Sequence, residues 1–571
     1  MLMSRLLGSR YKEWPAIATS KSHGLLLRGG YIRQVAAGIY SLLPLAQKVS
    51  GKIIDIVKQE MNRIDFDEVL MPVIMPRELW DESGRYESVG DELVRFKDRA
   101  GHEMLLGMTH EEAVVHLVRG EATTYAKYPV AVYQVQTKVR DEPRARGGLI
   151  RVREFLMKDA YSFHTNQEDL DLWYQKCFDA YEKIFKRVGL KGFVAVESDT
   201  GMMGGSGAHE FMLLCEIGED SIALCGGCGY KANVEVANGI FEPSTQEAPS
   251  KQEEIATPGI KTIEDLQVTF GMPAERVIKA CVFDVVGREK PVIVFIRGDM
   301  EVNEVKLKSV LQSACFPRTA AESDSLCYGY IGPIGLSAGS YDLLFDESLQ
   351  GCENMVCGAN KVGYHLKGVN LSDLVIDKFW NLYKVASHLR CPVCKKTHLE
   401  VKNGIEIGNI FKLGDKYTRS MDMTYVGSDG EAKYPIMGCY GIGIGRLMAS
   451  VIEEHHDDNG PIWPVSIAPF AVQIIAIDFR DPNVRRLALE LYDSLRERVD
   501  VLLDDRDLSA GVQFCEADLV AAPVRVVISP KGIASGDFEV ATRDKQTVCR
   551  VEFGAICSTV LQLLDVKSAT T

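Results

Sequence analysis

Between Ala131 and Phe163 two β-rich runs, AVYQVQTKVR and LIRVREFLMKDAYSF, flank the polar turn DEPRARGG. This pattern predicts an antiparallel hairpin whose charged loop is displayed rather than buried. Side chains alternate along a strand, so the pair can set Arg140, Glu142, Arg151, Phe155 and Asp159 on one concave face. A planar guanidinium grips a phosphate through two parallel hydrogen bonds, and an aromatic ring stacks on a purine. Taken alone, the same residues also suit a solvated charged hairpin with no ligand.

Other routes to a nucleotide are weaker. No glycine-rich loop ends in Gly-Lys-Ser or Gly-Lys-Thr, and GIGIGR at Gly441 to Arg446 closes on Arg where a dinucleotide fingerprint needs Gly or Ala. The net charge of −14 argues against unspecific adhesion to nucleic acid. Even so, Lys138, Arg140, Arg144, Arg146, Arg151 and Arg153 form a local basic track that can meet RNA. A chain of 571 residues that is 46% hydrophobic predicts several domains, each with its own core. The opening MLMSRLLGSRYKEWPA lacks an apolar core with a cleavage site, and no later apolar run is long enough to span a bilayer. A cytoplasmic protein without a membrane partner is expected, and its 15 cysteines then read as reduced thiols or metal ligands.

Apolar positions in KVSGKIIDIVKQEMNRI recur at helical spacing, and DEVLMPVIMP reads as a strand interrupted by prolines. Residues near 241 to 258, rich in Pro, Ser and Glu, read as a linker. The module after it, through about residue 380, alternates strand-like KACVFDV and KPVIVFIRG with helical VNEVKLKSVLQ. From about Ile467, strand-like AVQIIAI, VLLDD and VRVVISP with a helix through DPNVRRLALELYDSLRERV predict a second α/β unit.

TKVRDEPRARGGLIRVREFLMKDAYSFH resembles the second signature motif of class II aminoacyl-tRNA synthetases, closely in the form of the bacterial-type prolyl-tRNA synthetases. The resemblance implies that Arg140 holds the ATP α-phosphate and the amino-acid carboxylate, Glu142 the adenosine end and Phe155 the adenine face, with Arg151 toward the distal phosphates. GCYGIGIGRLMASVIEE resembles the third motif, in which glycines pack closely under ATP and Arg446 opens a helix to meet the γ-phosphate. Arg140 and Arg446 are thereby implied as the catalytic pair. EVLMPVIMPRELW resembles the first motif, where Pro72 matches a dimer-interface proline; an ordinary edge-strand proline suits Pro72 equally. In GMTHEEAV, Thr109 and Glu111 resemble the proline-binding loop, which offers acceptors to a secondary ammonium. His110 between them reads as a packed structural histidine. Cys439 resembles the small thiol that lines the proline pocket. Glu406 and Asn409 in GIEIGNIFKLG resemble a class II pattern for Mg²⁺ on the ATP phosphates. His209 in SGAHEF also stands at a family-matching position, with no role assigned.

The implied fold is an α+β catalytic core with an antiparallel sheet, an inserted α/β editing domain and a C-terminal α/β anticodon-binding domain. The expected boundaries are 1–224 and 401–465 for the core, 225–400 for the insertion and 466–571 for the last domain. The implied partners are ATP, L-proline, tRNA(Pro) and a second copy of the chain. In the insertion, Lys279 in RVIKA, Gly332 and Pro333 in GYIGP, and His365 in GANKVGYHLKGVN match an editing site for alanyl-tRNA(Pro). Editing is physically sensible, because a missing methylene costs alanine only about 1–3 kcal/mol in a proline pocket. Where the family often has an acidic residue before GAN, this chain reads CENMVCGAN, which leaves Glu353 and Asn354 unassigned.

The pairs Cys225/Cys228 and Cys391/Cys394 bracket the insertion with zinc-knuckle spacing. A structural Zn²⁺ and four free thiols both suit them. LLDDRDLSAGVQFCEADLVAAPVRVVISPKG resembles the anticodon-binding domain of several class II enzymes. Two rival readings are a threonyl enzyme and an RNA-binding regulatory paralogue. Thr109, Glu111 and the place of the insertion favour proline, while Arg140, Glu142, Phe155 and Arg446 speak against a purely binding role.

Overall fold

A computed structural model describes residues 1–199, 201–241, 248–319, 325–336 and 339–570; part of the expected linker, 242–247, lies outside the described residues. Chain contacts divide it into two compact units. One comprises Met1–Ala195, Thr200–Glu219 and Gly404–Thr571, and the other Val196–Asp199 and Asp220–Asn403.

The helical periodicity noted above becomes α1 (Pro44–Arg63), with proline at its start and Leu45, Val49, Ile53 and Val57 turned inward. The expected proline-bearing strand is instead two short strands, Asp67–Glu68 and Ile74–Pro76, in different sheets. Pro72 falls between them, where its missing N–H costs no ladder bond. After helix α2 (Glu111–Glu121) come the hairpin strands β1 (Val130–Val139) and β2 (Glu154–His164). Helix α3 (Gln167–Arg187) follows, capped by the Asn166 side chain accepting from the Asp169 N–H. Strands β3 (Gly207–Leu214), β4 (Glu400–Gly414) and β5 (Ile436–Gly443), then helix α4 (Ile444–Glu454), complete the frame of the site.

These five strands are the antiparallel part, in the order β3–β4–β5–β2–β1, of a nine-stranded mixed sheet. Helices α1, α3 and α4 bury one face of it, with Tyr440 and Ile442 of β5 in that core. Met437 and Cys439 point to the opposite face, packed with Trp80, Met108, Val114 and Tyr161. The period-two alternation of β5 therefore separates helical core from site.

The hairpin pairs only as far as Val139 opposite Glu154, so residues 140–153 form a long loop and the run LIRVR is not a strand. Gly147 and Gly148, at φ +69 and +62, reverse the chain there, and Arg146 and Arg151 bridge across the reversal. Glu142 and Arg151 thus belong to the loop, while Arg140 continues the face of Gln134, Gln136 and Lys138 one step beyond β1.

Residues Val472–Ala476, Val501–Asp504, Val524–Ile528, Phe538–Thr542 and Val548–Val551 build a five-stranded sheet at the C-terminal end of the same unit. It is joined to the rest of that unit by polar as well as apolar contacts. The Tyr31 hydroxyl donates to the Val520 carbonyl at 2.8 Å and accepts from Trp463 Nε1 at 2.8 Å, and Arg543 makes two 2.9 Å bonds to Asp457.

The second unit holds a five-stranded sheet whose inner strand, Val292–Arg297, is buried along its whole length. It also holds a three-stranded sheet of Glu253–Ala256, Tyr364–Val369 and Met355–Gly358. No helix among the described residues is long and apolar enough to cross a membrane.

Candidate active site

The start of α2 gathers acceptors. Glu111 is 1% exposed; its Oε2 accepts from the Thr109 hydroxyl and its Oε1 from the Cys439 thiol at 3.2 Å. Burial and the adjacent Glu111 push the Cys439 thiol well above its ordinary range, so it remains a protonated donor. Three residues singled out in the sequence thus meet, although Cys439 lies 328 positions from Glu111. Sequence reasoning missed the cation beneath them: Arg85 Nη1 lies 3.0 Å from Glu112 Oε1 and 3.5 Å from Glu111 Oε2, with its guanidinium over the Trp80 ring. Nothing local ties Arg85 to α2, so no spacing could reveal the pair.

His110 turns away from this pocket, as its position between two site residues suggested. Its Nε2 bonds the Pro72 carbonyl at 3.0 Å and its Nδ1 lies 2.6 Å from Lys138 Nζ. Burial, with the Lys138 ammonium alongside, pushes His110 down to about 4. A neutral ring then donates from Nε2 and accepts at Nδ1. Lys138 in turn sits 2.7 Å from Asp159, whose other oxygen accepts from Gln134 and from the Tyr161 hydroxyl. Asp159, expected on the nucleotide-facing surface, is 2% exposed and is the counter-ion of a buried lysine. It does share a strand face with Phe155, but the loop before α2 covers that end: His110 N–H donates to the Tyr161 hydroxyl beside it.

Toward the loop end the same face carries two guanidiniums. Arg140 donates from Nε to the Met108 carbonyl at 3.3 Å and lies over the Phe155 ring, 5.2 Å from its centroid. Arg446, in the first turn of α4, donates to the Glu406 carboxylate at 2.8 Å, the Glu406 carbonyl at 3.1 Å and the Ile150 carbonyl at 2.9 Å. Burial lowers the pKa of Arg140, and the charge of Arg446 lowers it further, which places the two cations in one electrostatic neighbourhood. Burial pushes Glu406 up, but Arg446, Asn409 and Arg140 together hold it below the usual carboxylate value.

Glu406 and Asn409 stand three apart on β4, which in a regular strand would put them on opposite faces. A bulge resolves this. Met212 pairs with Glu406 and Phe211 with Gly408, so Ile407 is the extra residue, and Asn409 Nδ2 reaches Glu406 Oε1 at 2.6 Å. A Cβ at Gly441 opposite would lie 2.8 Å from Asn409 Oδ1, so any side chain there would displace the Asn409 amide.

On the loop, Arg151 is held between Glu142 at 2.9 Å and Glu219 at 2.7 Å, and Glu219 also bonds Arg146. Glu219 was invisible in the sequence because 68 positions separate it from Arg151. His209 on β3 bonds the Tyr174 hydroxyl at 2.8 Å.

In the second unit, Gly332 sits against Gly358 so tightly that a Cβ would lie 1.9 Å from the Gly358 carbonyl oxygen. Asn360 fastens the turn, accepting from Gly332 N–H at 3.0 Å and donating to the carbonyls of Gly332 and Ile334 at 2.9 and 2.7 Å, on either side of Pro333. His365 is buried, shares a 2.6 Å hydrogen bond with Thr257 and packs its ring on Tyr330; burial lowers its pKa. Lys279 does not join this group by any described contact: its ammonium bonds the Met300 carbonyl. Asn354, at φ +57, ties Ala248 and Ser250 to its own turn, and Glu353 Oε2 is buried without a hydrogen-bond partner among the described residues. Cys225, Cys228, Cys391 and Cys394 come together, with all four sulfurs within 4.8 Å of one another, a group that could hold a metal ion.

The sheet carries Arg140 just past its hairpin strand and Arg446 in the first turn of α4, the arrangement that the resemblance to class II tRNA synthetases implied. Residues 94–455 match the family "tRNA synthetase class II core domain (G, H, P, S and T)" and residues 471–563 match "Anticodon binding domain". The chain belongs to this class, and within it to the proline–tRNA ligases. It is 44% identical over 575 residues to the proline–tRNA ligase of Caldicellulosiruptor bescii, covering 100% of this chain and 99% of that one. It is also 44% identical over 539 residues to that of Geotalea daltonii, covering 93% and 94%. A crystal structure of prolyl-tRNA synthetase from Cryptosporidium parvum, complexed with L-proline and AMP, shares the fold at a TM-score of 0.58 and 12% identity, covering 99% of this chain and 78% of that one.

Proposed function

We propose that this chain activates L-proline with ATP and transfers the prolyl group to tRNA(Pro), with Arg140 and Arg446 as its catalytic pair. One observation carries the assignment of roles: the two guanidiniums share a neighbourhood with Glu406, at one end of a face whose other end is the Thr109–Glu111–Cys439 pocket. Glu111 and Thr109 take the two N–H groups of the secondary ammonium, and Cys439 limits the ring's room. Arg140 then lies between the proline carboxylate and the α-phosphate. The carboxylate attacks phosphorus in line and pyrophosphate leaves, while preplaced cations stabilise the growing charge. A terminal ribose hydroxyl of the tRNA next attacks the adenylate carbonyl; binding and orientation suffice, and no protein nucleophile is needed.

Before nucleotide arrives, Glu406 occupies Arg446, and Glu142 with Glu219 occupies Arg151. Phosphate oxygens take over part of that pairing, and Phe155 exchanges the Arg140 guanidinium for the adenine face. The oxygens of Glu406 and Asn409 suit a hard divalent cation; these residues would hold Mg²⁺, which would supply charge neutralisation to the phosphates.

Residues 1–224 and 401–465 form the catalytic domain, 225–400 the editing domain and 466–571 the anticodon-binding domain. In the editing domain, Gly332, Pro333 and His365 hold an alanyl ester for hydrolysis and Lys279 meets the tRNA end. The exposed Leu70 (75%) and Ile74 (54%) beside Pro72 supply an apolar edge for a homodimer. The enzyme works in the cytoplasm, where tRNA is charged.

Proline, alanine, cysteine and threonine compared in ATP–pyrophosphate exchange test the reading. Proline leads by a wide margin; a preference for threonine overturns it.

A further inference from the structure

The four cysteines of the second unit lie outside the chemistry above, and their surroundings are more specific than their spacing. Each pair closes a similar small turn, one residue longer in the second. Cys225 N–H donates to the Tyr230 carbonyl at 2.9 Å and Gly229 N–H to the Cys225 carbonyl at 3.1 Å; Cys391 N–H donates to the Thr397 carbonyl at 2.8 Å and Lys395 N–H to the Cys391 carbonyl at 3.0 Å. The residue after the second cysteine is left-handed in both, Gly229 at φ +78 and Lys395 at φ +59. Two similar turns thus face each other, and they face closely: a Cβ on Gly227 would lie 2.4 Å from Thr397 Oγ1 of the opposite turn. Left-handed backbone at a lysine is unfavourable without a compensating contact.

The sulfurs meet across the turns as well as within them, all four lying within 4.8 Å of one another. Cys225 and Cys394 are 3.7 Å apart, and Cys228 and Cys391 are 3.5 Å apart. Four thiolates about 2.3 Å from a central zinc form a tetrahedron with edges of about 3.8 Å. Gly227 N–H also donates to Cys225 Sγ at 3.4 Å, a bond that compensates thiolate charge.

We infer that Cys225, Cys228, Cys391 and Cys394 bind a structural Zn²⁺ as a closed tetrathiolate that fastens together the first and last segments of the second unit. A closed set of four thiolates leaves no open coordination position, so the role is structural. Cys225 comes five residues after the unit's main segment begins at Asp220, and Cys394 nine before it ends at Asn403. The sulfurs border an apolar cluster that includes Val234, Ile296, Met300, Tyr383, Leu389 and Leu399, so a metal there would clasp the two ends of the segment beside a core they already share. Thiol protons leave as the metal binds, so affinity rises with pH.

Elemental analysis of the full chain, purified natively under reducing conditions and again after incubation with zinc salt, tests this. Stoichiometric zinc is expected. Replacement by Co²⁺ should give the visible absorption and near-ultraviolet charge-transfer bands of a tetrahedral thiolate site. A Cys228→Ser, Cys394→Ser double variant should lose the zinc and become cleavable by protease within 220–403, while proline-dependent pyrophosphate exchange persists. Four freely reactive thiols without zinc after the incubation, stoichiometric iron instead, or zinc retained by the double variant would each overturn the inference. The wild-type metal content stands whether or not the variant folds.

Discussion

The two sites proposed for this enzyme are built from opposite materials. In the first unit Arg446 with Glu406, and Arg151 with Glu142 and Glu219, hold one another in paired charges, with Arg140 close by over Phe155. Around Gly332 in the second unit the groups are neutral: backbone amides, Asn360, Tyr330, Thr257 and a histidine lowered by burial. Phosphoryl transfer generates charge that a site must meet with fixed cations, and unliganded cations must be held in the meantime. Ester hydrolysis with selection by size asks instead for close walls and oriented dipoles. The difference suggests that each site can be disabled without touching the other.

Arg446→Ala should separate them most sharply. It is expected to lower proline-dependent pyrophosphate exchange about a thousandfold, since it removes a preplaced cation. Hydrolysis of alanyl-tRNA(Pro) supplied ready-made should be unchanged, and a parallel loss would break the comparison. In the reverse experiment, His365→Ala should slow that hydrolysis about a hundredfold, with exchange unaffected. Glu111→Gln keeps shape and removes charge, so the KM for proline should rise about thirtyfold while the KM for ATP stays put; equal changes in both would show that Glu111 acts on the whole site.

The smallest expected effect is on stability. His110 is pushed from 6.5 to about 4 in the folded chain. Because the unfolded chain takes up the proton first, His110 favours folding fully above pH 6.5, and this contribution is lost as pH falls from there toward 4. Between pH 6.5 and about pH 5.5 the wild type should lose about 1 kcal/mol more unfolding free energy than His110→Gln, as read by urea titration.

Much of this was legible because the decisive residues lie in contiguous motifs. Thr109 and Glu111, Arg140, and Gly441 with Arg446 each sit at the end of an element whose periodicity is plain. Partners supplied from elsewhere were not legible: Arg85 under Glu111, and Glu219 across the loop from Arg151. Strand propensity misled where glycines decide, since the β-branched run after Gly148 extends the apparent hairpin past its true end at Glu154. Asp159 carries the right chemistry on the right face, yet packing against His110 and Lys138 makes it an internal counter-ion.

The bulge at Ile407 reverses the parity of β4. Before it, an even-numbered residue, Glu406, faces the candidate site; after it, odd-numbered Asn409, Phe411 and Leu413 share that side. Drawn straight at its full length, with every residue in regular alternation, the strand would have to turn one half inside out, sending either the carboxylate or the apolar residues to the wrong side of the sheet. The irregularity is thus the hinge of the strand's inside–outside code, and a more perfect ladder would make a worse enzyme.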